Sequence, residues 1–340
     1  MTPDGRPTKL VIQIPCFNEE ATLPATIADL PAEVPGFDIV EWLVIDDGSS
    51  DRTTAFAFEL GVHHVVRHRR NRGLAAAFLT GLDTALKLDA DVIVNTDADN
   101  QYDASYIPAI VTPVLLGQAD IVVGERPIES VPEFSGLKKR LQRLGSWVVR
   151  KFSGTAIADA ASGFRAFDRE AAMRLHVYGR YTYTLETLIQ AGAEGLAVRS
   201  VPIGVNPQTR PSRLVKSSAQ YVRRSAATIV RSYAIYRPFR FFAGLAALPL
   251  LASVVLAVRW LAYFFFADDY SSRLPSLIAA ITLMLIAGQL LMVAFLADLT
   301  ATSRRLMEDS RFLARRAELD RNRPATTTDH TPIGLPLPGE

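Results

Sequence analysis

Val92-Ile93-Val94-Asn95-Thr96-Asp97-Ala98-Asp99-Asn100-Gln101 passes from a short β-branched run straight into two carboxylates. Its first four residues have the length and composition of a buried strand. Beyond them Asp97 and Asp99 stand at i and i+2, so in extended backbone their side chains share a face and can grip one hard divalent cation. Mg²⁺ or Mn²⁺ held by one or two carboxylates keeps positions open for diphosphate oxygens, which is how such ions engage nucleotide substrates. An EF-hand calcium loop is excluded, because Tyr102 and Pro108 occupy the sixth and twelfth positions, where Gly and Glu are required.

Working outward, Leu10–Ile14, Trp42–Ile45, His63–Val66 and Ile121–Val123 read as further strands, alternating with helical patterns over Glu19–Leu30, Arg52–Leu60, Gly73–Leu88 and Ser105–Leu116. Such alternation predicts an open, mostly parallel α/β sheet with crossover helices. Ligands of such sheets bind beyond the carboxyl ends of the strands. Pro15 and Asn18 follow the first strand, Asp46 and Asp47 the second, and Asp97 and Asp99 the fourth, so three polar loops converge on one crevice. In Asp46-Asp47-Gly48-Ser49-Ser50-Asp51, Gly48 can supply a tight turn and Ser50 or Asp51 can cap the next helix. That leaves Asp46 and Asp47 to accept hydrogen bonds from a base or a ribose.

The chain has 340 residues, is 49% apolar and carries a net charge of +2. That net charge is too small to suggest wholesale nucleic-acid binding, and no nucleic-acid partner is expected. Cys16 is the sole cysteine, which rules out an intrachain disulfide and suits a buried thiol. The opening residues contain no apolar core of signal-peptide length, so the first domain is expected to remain in the cytoplasm.

The apolar excess is concentrated in two runs, Phe241–Val258 and Leu274–Leu296. The first reaches roughly 27 Å as a helix, close to the hydrocarbon thickness, and Arg259 can then snorkel beside Trp260, Tyr263, Phe264, Phe265 and Phe266. The second is interrupted by Gln289, an amide expected to face the partner helix of a hairpin. The competing reading is a soluble protein with a buried helical hairpin. Arginines 223, 224, 231, 237 and 240 precede the pair, Arg304, Arg305, Arg311, Arg315 and Arg316 follow it, and the connection holds Asp268, Asp269 and Arg273. By the positive-inside rule both ends are cytoplasmic, giving a multi-pass protein of the cytoplasmic membrane.

Two amphipathic patterns flank the sheet region. Leu137, Leu141, Leu144, Val148 and Phe152 recur among lysines and arginines, and Val222, Ala226, Ile229 and Tyr233 lead into the first span. Both suit an anionic bilayer surface, or alternatively cover the domain. The expected division is a catalytic domain over 1–213, an interfacial helix over 214–238, two transmembrane helices over 239–300, a charged cytoplasmic helix over 301–323 and a disordered tail over 324–340. The charged helix is suited either to pack against another subunit in a homo-oligomer or to stand as a solvated arm.

The ordered motifs Ile14-Pro15-Cys16-Phe17-Asn18-Glu19, Asp46-Asp47-Gly48-Ser49-Ser50-Asp51-Arg52-Thr53, Asn71-Arg72-Gly73, Asp97-Ala98-Asp99-Asn100-Gln101, Gly124-Glu125-Arg126, Ser162-Gly163-Phe164-Arg165 and Arg210-Pro211-Ser212-Arg213-Leu214 resemble one family. It is the dolichyl-phosphate-mannose-synthase-like branch of the family 2 glycosyltransferases, whose catalytic domain has the Rossmann-like GT-A fold. The resemblance implies that Pro15, Phe17, Glu19, Asp46 and Asp47 line a nucleotide pocket. It likewise implies that Asp97, Asp99 and Gln101 hold the metal and the diphosphate. Arg126, Arg213 and Arg143 would face the acceptor phosphate or the leaving diphosphate, and Glu186 would sit near the sugar. Phe17 stands where Tyr is common, and Arg213 where Lys is common, exchanging a point charge for a bidentate fork.

On that resemblance the expected reaction is inverting transfer of a sugar from a UDP- or GDP-sugar to a polyprenyl phosphate. A flippase or downstream membrane glycosyltransferase would use the product. The acceptor needs no strong general base, because a phosphate monoester has a second pKa of about 6. Alternatives are a transferase acting on a glycan or glycerolipid, and a noncatalytic nucleotide-binding scaffold. A processive synthase is disfavoured, since Gln142-Arg143-Leu144-Gly145-Ser146-Trp147 is not Gln-x-x-Arg-Trp.

Overall fold

The computed structural model describes residues 6–127, 157, 159–177, 179, 183–207, 218–266 and 274–322. Seven strands make one sheet: β1 (Lys9–Cys16), β2 (Ile39–Asp46), β3 (His64–Arg67), β4 (Val92–Asn95), β5 (Ile121–Glu125), β6 (Arg165–Asp168) and β7 (Val198–Pro202). Their order is β3-β2-β1-β4-β6-β5-β7, parallel except that β6 runs antiparallel between β4 and β5. The mostly parallel sheet expected from the sequence is therefore present, with two strands added. β6 escapes a hydrophobicity reading because it begins with the buried Arg165, and β7 because its five residues are flanked by no long apolar run.

Strand alternation sorts the core into two layers. Leu10, Ile12 and Ile14 of β1 face one apolar cluster with α1 (Leu23–Asp29) and α4 (Ile107–Leu115), whereas Val11 faces the other. Helix α2 (Thr53–Glu59) adds Ala57 to the first layer. Across the sheet, α3 (Leu74–Lys87) buries Ala75, Phe78, Leu82, Ala85 and Leu86, one stripe at helical spacing. Helices α5 (Arg169–Arg174) and α6 (Thr184–Glu194) complete that layer. Helix α1 starts later than its sequence pattern suggests, because the backbone of Asn18 and Glu19 is drawn to Ser49 Oγ (2.9 Å) and Thr53 Oγ1 (2.8 Å).

Three C-terminal helices follow: α7 (Ser218–Tyr236), α8 (Pro238–Phe266) and α9 (Leu274–Asn322). Helices α8 and α9 are long and apolar enough to cross a membrane, each with a most-apolar window of mean hydropathy 2.4. Only 11% and 17% of those windows are buried, which is little for a core hairpin and in keeping with membrane association. They pack through small residues, Ala246 and Ser253 on α8 against Ala280, Ala287, Ala294 and Ala301 on α9, and Ser253 Oγ donates to the Ala280 carbonyl at 2.7 Å. The seven-residue spacing of these residues keeps one seam turned to the partner helix. Gln289 is not on that seam. It lies two residues past Ala287, about 200° round the helix, and its side chain is exposed, which corrects the expectation that it faces α8.

Helix α9 is one 49-residue element with no break between its apolar and charged parts. Phe312 and Leu319, seven residues apart, bury themselves in the core cluster of the sheet domain. Arg174 stacks over Phe312 at 4.2 Å, and Arg315 pairs with Asp83 of α3 at 2.8 Å. The charged segment thus returns to its own catalytic domain along this face, an arrangement distinct from a free arm. Ile229, part of the stripe expected at the bilayer, is buried in the same cluster with Tyr236, so that part of α7 covers the domain. Arg143, Arg213, the 137–152 pattern, the side chains of Val222 and Arg224, the 267–273 connection and the 324–340 tail lie outside the described residues.

Candidate active site

The crevice forms where β1, β2 and β4 end side by side, with Cys16 in register with Asp46 and Gln13 with Asn95. Pro15 is buried within β1, and the next side chain outward, Phe17, is 41% exposed at the mouth. Asn18 takes positive φ (56°) and accepts from Ser50 N at 2.9 Å, lacing the first loop to the second. Glu19 accepts from Thr22 Oγ1 at 2.8 Å. Asp51 accepts from Thr53 N at 3.0 Å and Ser50 N donates to Asn18, but the N-cap position of α2 is Arg52, which makes no side-chain cap, so neither of the two expected residues stands there.

Asp46 and Asp47 are both buried. Asp46 accepts from Ser49 N (2.7 Å) and Thr54 Oγ1 and faces Arg67 Nε at 3.2 Å. Asp47 accepts from Arg72 N and Gly73 N, each at 2.8 Å, and pairs with His68 Nδ1 at 2.7 Å; His68 Nε2 lies 3.0 Å from Thr80 Oγ1. These carboxylates hold the walls of the crevice from beneath. Between them and the wall, Gly48 has φ +76°, and a Cβ there would come within 2.6 Å of the Arg70 carbonyl carbon. Only glycine fits that turn.

Asp97 and Asp99 emerge after β4 with Gln101 next to them, and Asp99 Oδ1 accepts from Gln101 N at 3.2 Å. Protein surrounds the Asp97 carboxylate although part of its surface stays open. Burial first, then the charge of Asp99, raises its pKa to about 7, with Arg126 opposing and Glu19 adding to the rise. Two crowded carboxylates that resist ionising together are the electrostatic complement of a divalent cation. Among the described residues no three His, Cys, Asp or Glu side chains gather into an all-protein cage. Asp97 and Asp99 with open positions match the donor set of Mg²⁺ or Mn²⁺ shared with a diphosphate, so the residues fit such an ion.

Beneath Asp97 lies a buried polar floor. Asn95 Nδ2 donates to the Gly163 carbonyl (2.9 Å) and to Tyr183 Oη (2.8 Å), while Gly163 N donates to Tyr102 Oη at 2.8 Å. Gln13 Nε2 completes the chain by donating to Asn95 Oδ1 at 2.8 Å. The Tyr183 ring stacks on Phe78 with centroids 3.8 Å apart. A Cβ on Gly163 would sit 3.0 Å from Asp97 Oδ2 and 3.0 Å from Tyr183 Oη, so the Asp97 carboxylate rests directly on glycine backbone. Fully buried Arg165 ties the same loop, donating to the Ser162 and Ala160 carbonyls (2.9 Å each) and to Thr187 Oγ1 (2.8 Å). Burial lowers its pKa to about 10, which leaves it cationic at neutral pH.

Arg126, at the end of β5, is gripped by Asp159 through Nε–Oδ2 at 2.6 Å and Nη2–Oδ1 at 3.1 Å. Burial opposes its charge most strongly, but Asp159, Tyr102 and Asp97 together hold its pKa above the ordinary value. The result is a fixed cation acting on Asp97. Glu186, by contrast, is buried on α6 and accepts from Gly179 N at 2.9 Å, one turn along from Tyr183. Cys16 is buried and its thiol pKa is raised by burial and then by Glu19, as suits an inert structural thiol.

Asp159, Asn95, Tyr102 and Tyr183 were not singled out from sequence. Asp159 had a signal, a lone acid within Thr155-Ala156-Ile157-Ala158-Asp159-Ala160-Ala161, just before the Ser162–Arg165 motif. The two tyrosines had none, since their hydroxyls matter only once the chain has folded.

Residues 11–175 match the sequence profile described as Glycosyl transferase family 2. The UDP-N-acetylglucosamine–dolichyl-phosphate N-acetylglucosaminyltransferase of Methanococcus voltae is 30% identical, covering 56% of this chain and 82% of that protein. The chain belongs to glycosyl transferase family 2. The polyprenol monophosphomannose synthase of Mycolicibacterium smegmatis is also 30% identical to this transferase, over 58% of this chain and 78% of the relative. Among solved structures, glucosyl-3-phosphoglycerate synthase of Mycobacterium tuberculosis, crystallised with Mn²⁺, UDP and phosphoglyceric acid, superposes with a TM-score of 0.54 at 23% identity. That likeness covers 67% of this chain and 78% of the other, and at such identity it establishes the GT-A fold alone. This glycosyltransferase thus has its GT-A domain joined to an apolar helical hairpin.

Proposed function

We propose that this transferase moves a sugar from a UDP- or GDP-sugar onto a polyprenyl phosphate, with inversion, at the cytoplasmic face of a membrane that α8 and α9 cross. The observation that carries the reading is the Asp97–Asp99 pair set against the fixed Arg126–Asp159 unit, in a domain whose own hairpin returns to it through Phe312 and Leu319. Relatives named for a dolichyl-phosphate acceptor and for a polyprenol monophosphomannose product support the acceptor class. The arginine-rich flanks of the hairpin support the cytoplasmic placement of both ends.

Asp97, Asp99 and Gln101 would hold Mg²⁺ or Mn²⁺, whose chemistry is to neutralise the departing diphosphate. Pro15, Phe17 and Glu19 line the nucleotide side, with Asp46 and Asp47 shaping that wall through the turns they hold. Arg126 provides fixed positive charge where negative charge accumulates. Arg143 and Arg213 are assigned to the acceptor phosphate by the motif alone, and Glu186 to the vicinity of the sugar. An oxygen of the acceptor phosphate forms the new bond to the anomeric carbon as the bond to the diphosphate breaks on the opposite face. Configuration therefore inverts, and no protein base is required because a monoester phosphate is largely dianionic at neutral pH.

The test is transfer of radiolabelled sugar from a panel of UDP- and GDP-sugars into organic-extractable polyprenyl phosphate by the purified full-length protein, with Mg²⁺, Mn²⁺ or EDTA. A metal-dependent, acid-labile lipid product is expected. Label entering a glycan or a diacylglycerol lipid would overturn the acceptor, and undiminished transfer in EDTA would overturn the metal.

A further inference from the structure

Helix α9 carries two seven-residue repeats, and the described residues fill only one of them. The first, Ala280, Ala287, Ala294 and Ala301, is buried against α8. The second is Leu285, Met292, Leu299, Leu306 and Leu313, whose side chains are 52–65% exposed. Four residues after each of these lie Gln289, Leu296, Ser303, Ser310 and Ala317, all exposed as well. Positions i and i+4 repeated every seven residues form one continuous stripe, here roughly 48 Å long over 33 residues.

Lipid accounts for the first half of that stripe only. Leu313 lies 14 residues past Leu299, about 21 Å further along the helix, beyond the two arginines Arg304 and Arg305 and in the part that docks on the catalytic domain. Leu306, Met307 and Leu313 keep 61–66% of their surface exposed in that part of the helix. The serines between them donate into their own helix, Ser303 Oγ to the Leu299 carbonyl and Ser310 Oγ to the Leu306 carbonyl, so they offer a partner small, satisfied surfaces. Within the span, the Gln289 amide has no partner among the described residues. An amide carries both donor and acceptor, and in hydrocarbon it is strongly driven to find a second one.

From these observations we infer that the open stripe of α9 is a docking surface for the same stripe of a second copy of this chain, paired as a parallel coiled coil. Two copies inserted in one membrane have parallel α9 helices, so a two-fold axis along the membrane normal brings Leu306 to Leu306, Leu313 to Leu313 and Gln289 to Gln289. A repeat of period 3.5 sustained over four intervals is the pattern that keeps two helices in contact along such a length. The pairing leaves the crevice free, since Phe312 and Leu319 hold the opposite side of α9 to the catalytic domain.

Disulfide crosslinking of full-length protein in native membranes tests this. With Cys16 replaced by Ser, single cysteines are placed at Leu306 and Leu313 on the stripe and at exposed Arg311 and Glu318 off it. Oxidation should give dimer-sized product for Leu306→Cys and Leu313→Cys, and only background for the other two, because a disulfide needs Cα atoms about 4.4–6.8 Å apart. Equal crosslinking at all four sites, or none at any, would overturn the pairing. Intrachain crosslinking of Leu306→Cys to a second cysteine at Leu141 would instead assign the stripe to this chain's own amphipathic segment. As a check independent of oxidation, Leu306→Asp with Leu313→Asp should convert dimer to monomer in nanodiscs at unchanged helix content. A monomeric wild-type protein in that measurement would also overturn the inference.

Discussion

Beneath the crevice, specificity of structure comes from buried polar groups; in the hairpin it comes from spacing. Gln13, Asn95, Tyr183, Tyr102 and Gly163 form an unbroken chain of hydrogen bonds under Asp97, none of it at the surface. Along α8 and α9, Ser253 Oγ donates to the Ala280 carbonyl, and buried alanines recur every seven residues along α9. A polar floor orients its atoms by direction as well as distance, and leaving one buried partner unsatisfied costs about 1–3 kcal/mol. A small-residue seam tolerates exchange on its outer face and is sensitive only to volume on its inner one.

The contrast is broken most severely at the carboxylates. Asp99→Ala should reduce sugar transfer by at least about 100-fold, because it removes charge at which the departing diphosphate is neutralised. The protein should remain folded and membrane-bound, since Asp99 is a half-buried loop residue beyond the end of β4 and is not part of either core cluster. Turnover close to wild type, measured with the same labelled donor, would remove Asp99 from the metal site. Gly163→Ala comes next. Its methyl would press on Asp97 Oδ2 and Tyr183 Oη, both at 3.0 Å, so Mn²⁺ binding read by electron paramagnetic resonance should weaken about 10-fold. Unchanged binding would mean that the floor adapts, and that the carboxylate is not held by glycine backbone.

How far the two regions were legible follows from the same difference. The aspartate loops could be read from order and spacing alone, because a strand's end fixes which side chains reach the crevice. The two long apolar helices could be read because length and apolarity are properties of the sequence itself. What stayed hidden was anything that depends on who lies opposite. Asp46 and Asp47 read as free acceptors, yet His68, Arg72 and Gly73 occupy Asp47, and Ser49, Thr54 and Arg67 occupy Asp46. Gln289 was expected to face α8, but the alanine repeat, not the lone polar residue, marks the inner face. The charged end of α9 concealed Phe312 and Leu319, whose seven-residue spacing among so many arginines and acids is too sparse to stand out.

That last contact gives a third measurement, of intermediate size. Phe312→Ala should cost about 3–5 kcal/mol of stability, since it empties a buried aromatic site and frees Arg174 from its ring. Leu248→Ala on α8, where the side chain is 70% exposed, should cost under about 0.5 kcal/mol. Thermal unfolding of both variants in detergent makes the comparison. Equal losses would mean that α9 does not anchor the domain.

The smallest effect sharpens the comparison within one helix. Ala287→Leu adds three methyl-sized groups to a seam where the Ala287 side chain is wholly buried, and overpacking of that kind costs about 1–3 kcal/mol. Gln289→Leu, two residues on, touches nothing on α8 and should leave the contact between α8 and α9 unaltered. The readout is resistance of the hairpin to unfolding by added SDS, followed by loss of helix. In dilute detergent, where second copies are separated, the two variants should part company, with Ala287→Leu unfolding at lower SDS and Gln289→Leu at the wild-type point. Were Gln289→Leu the more damaging, the amide would be holding the hairpin together after all, and the sequence expectation would be restored against the geometry.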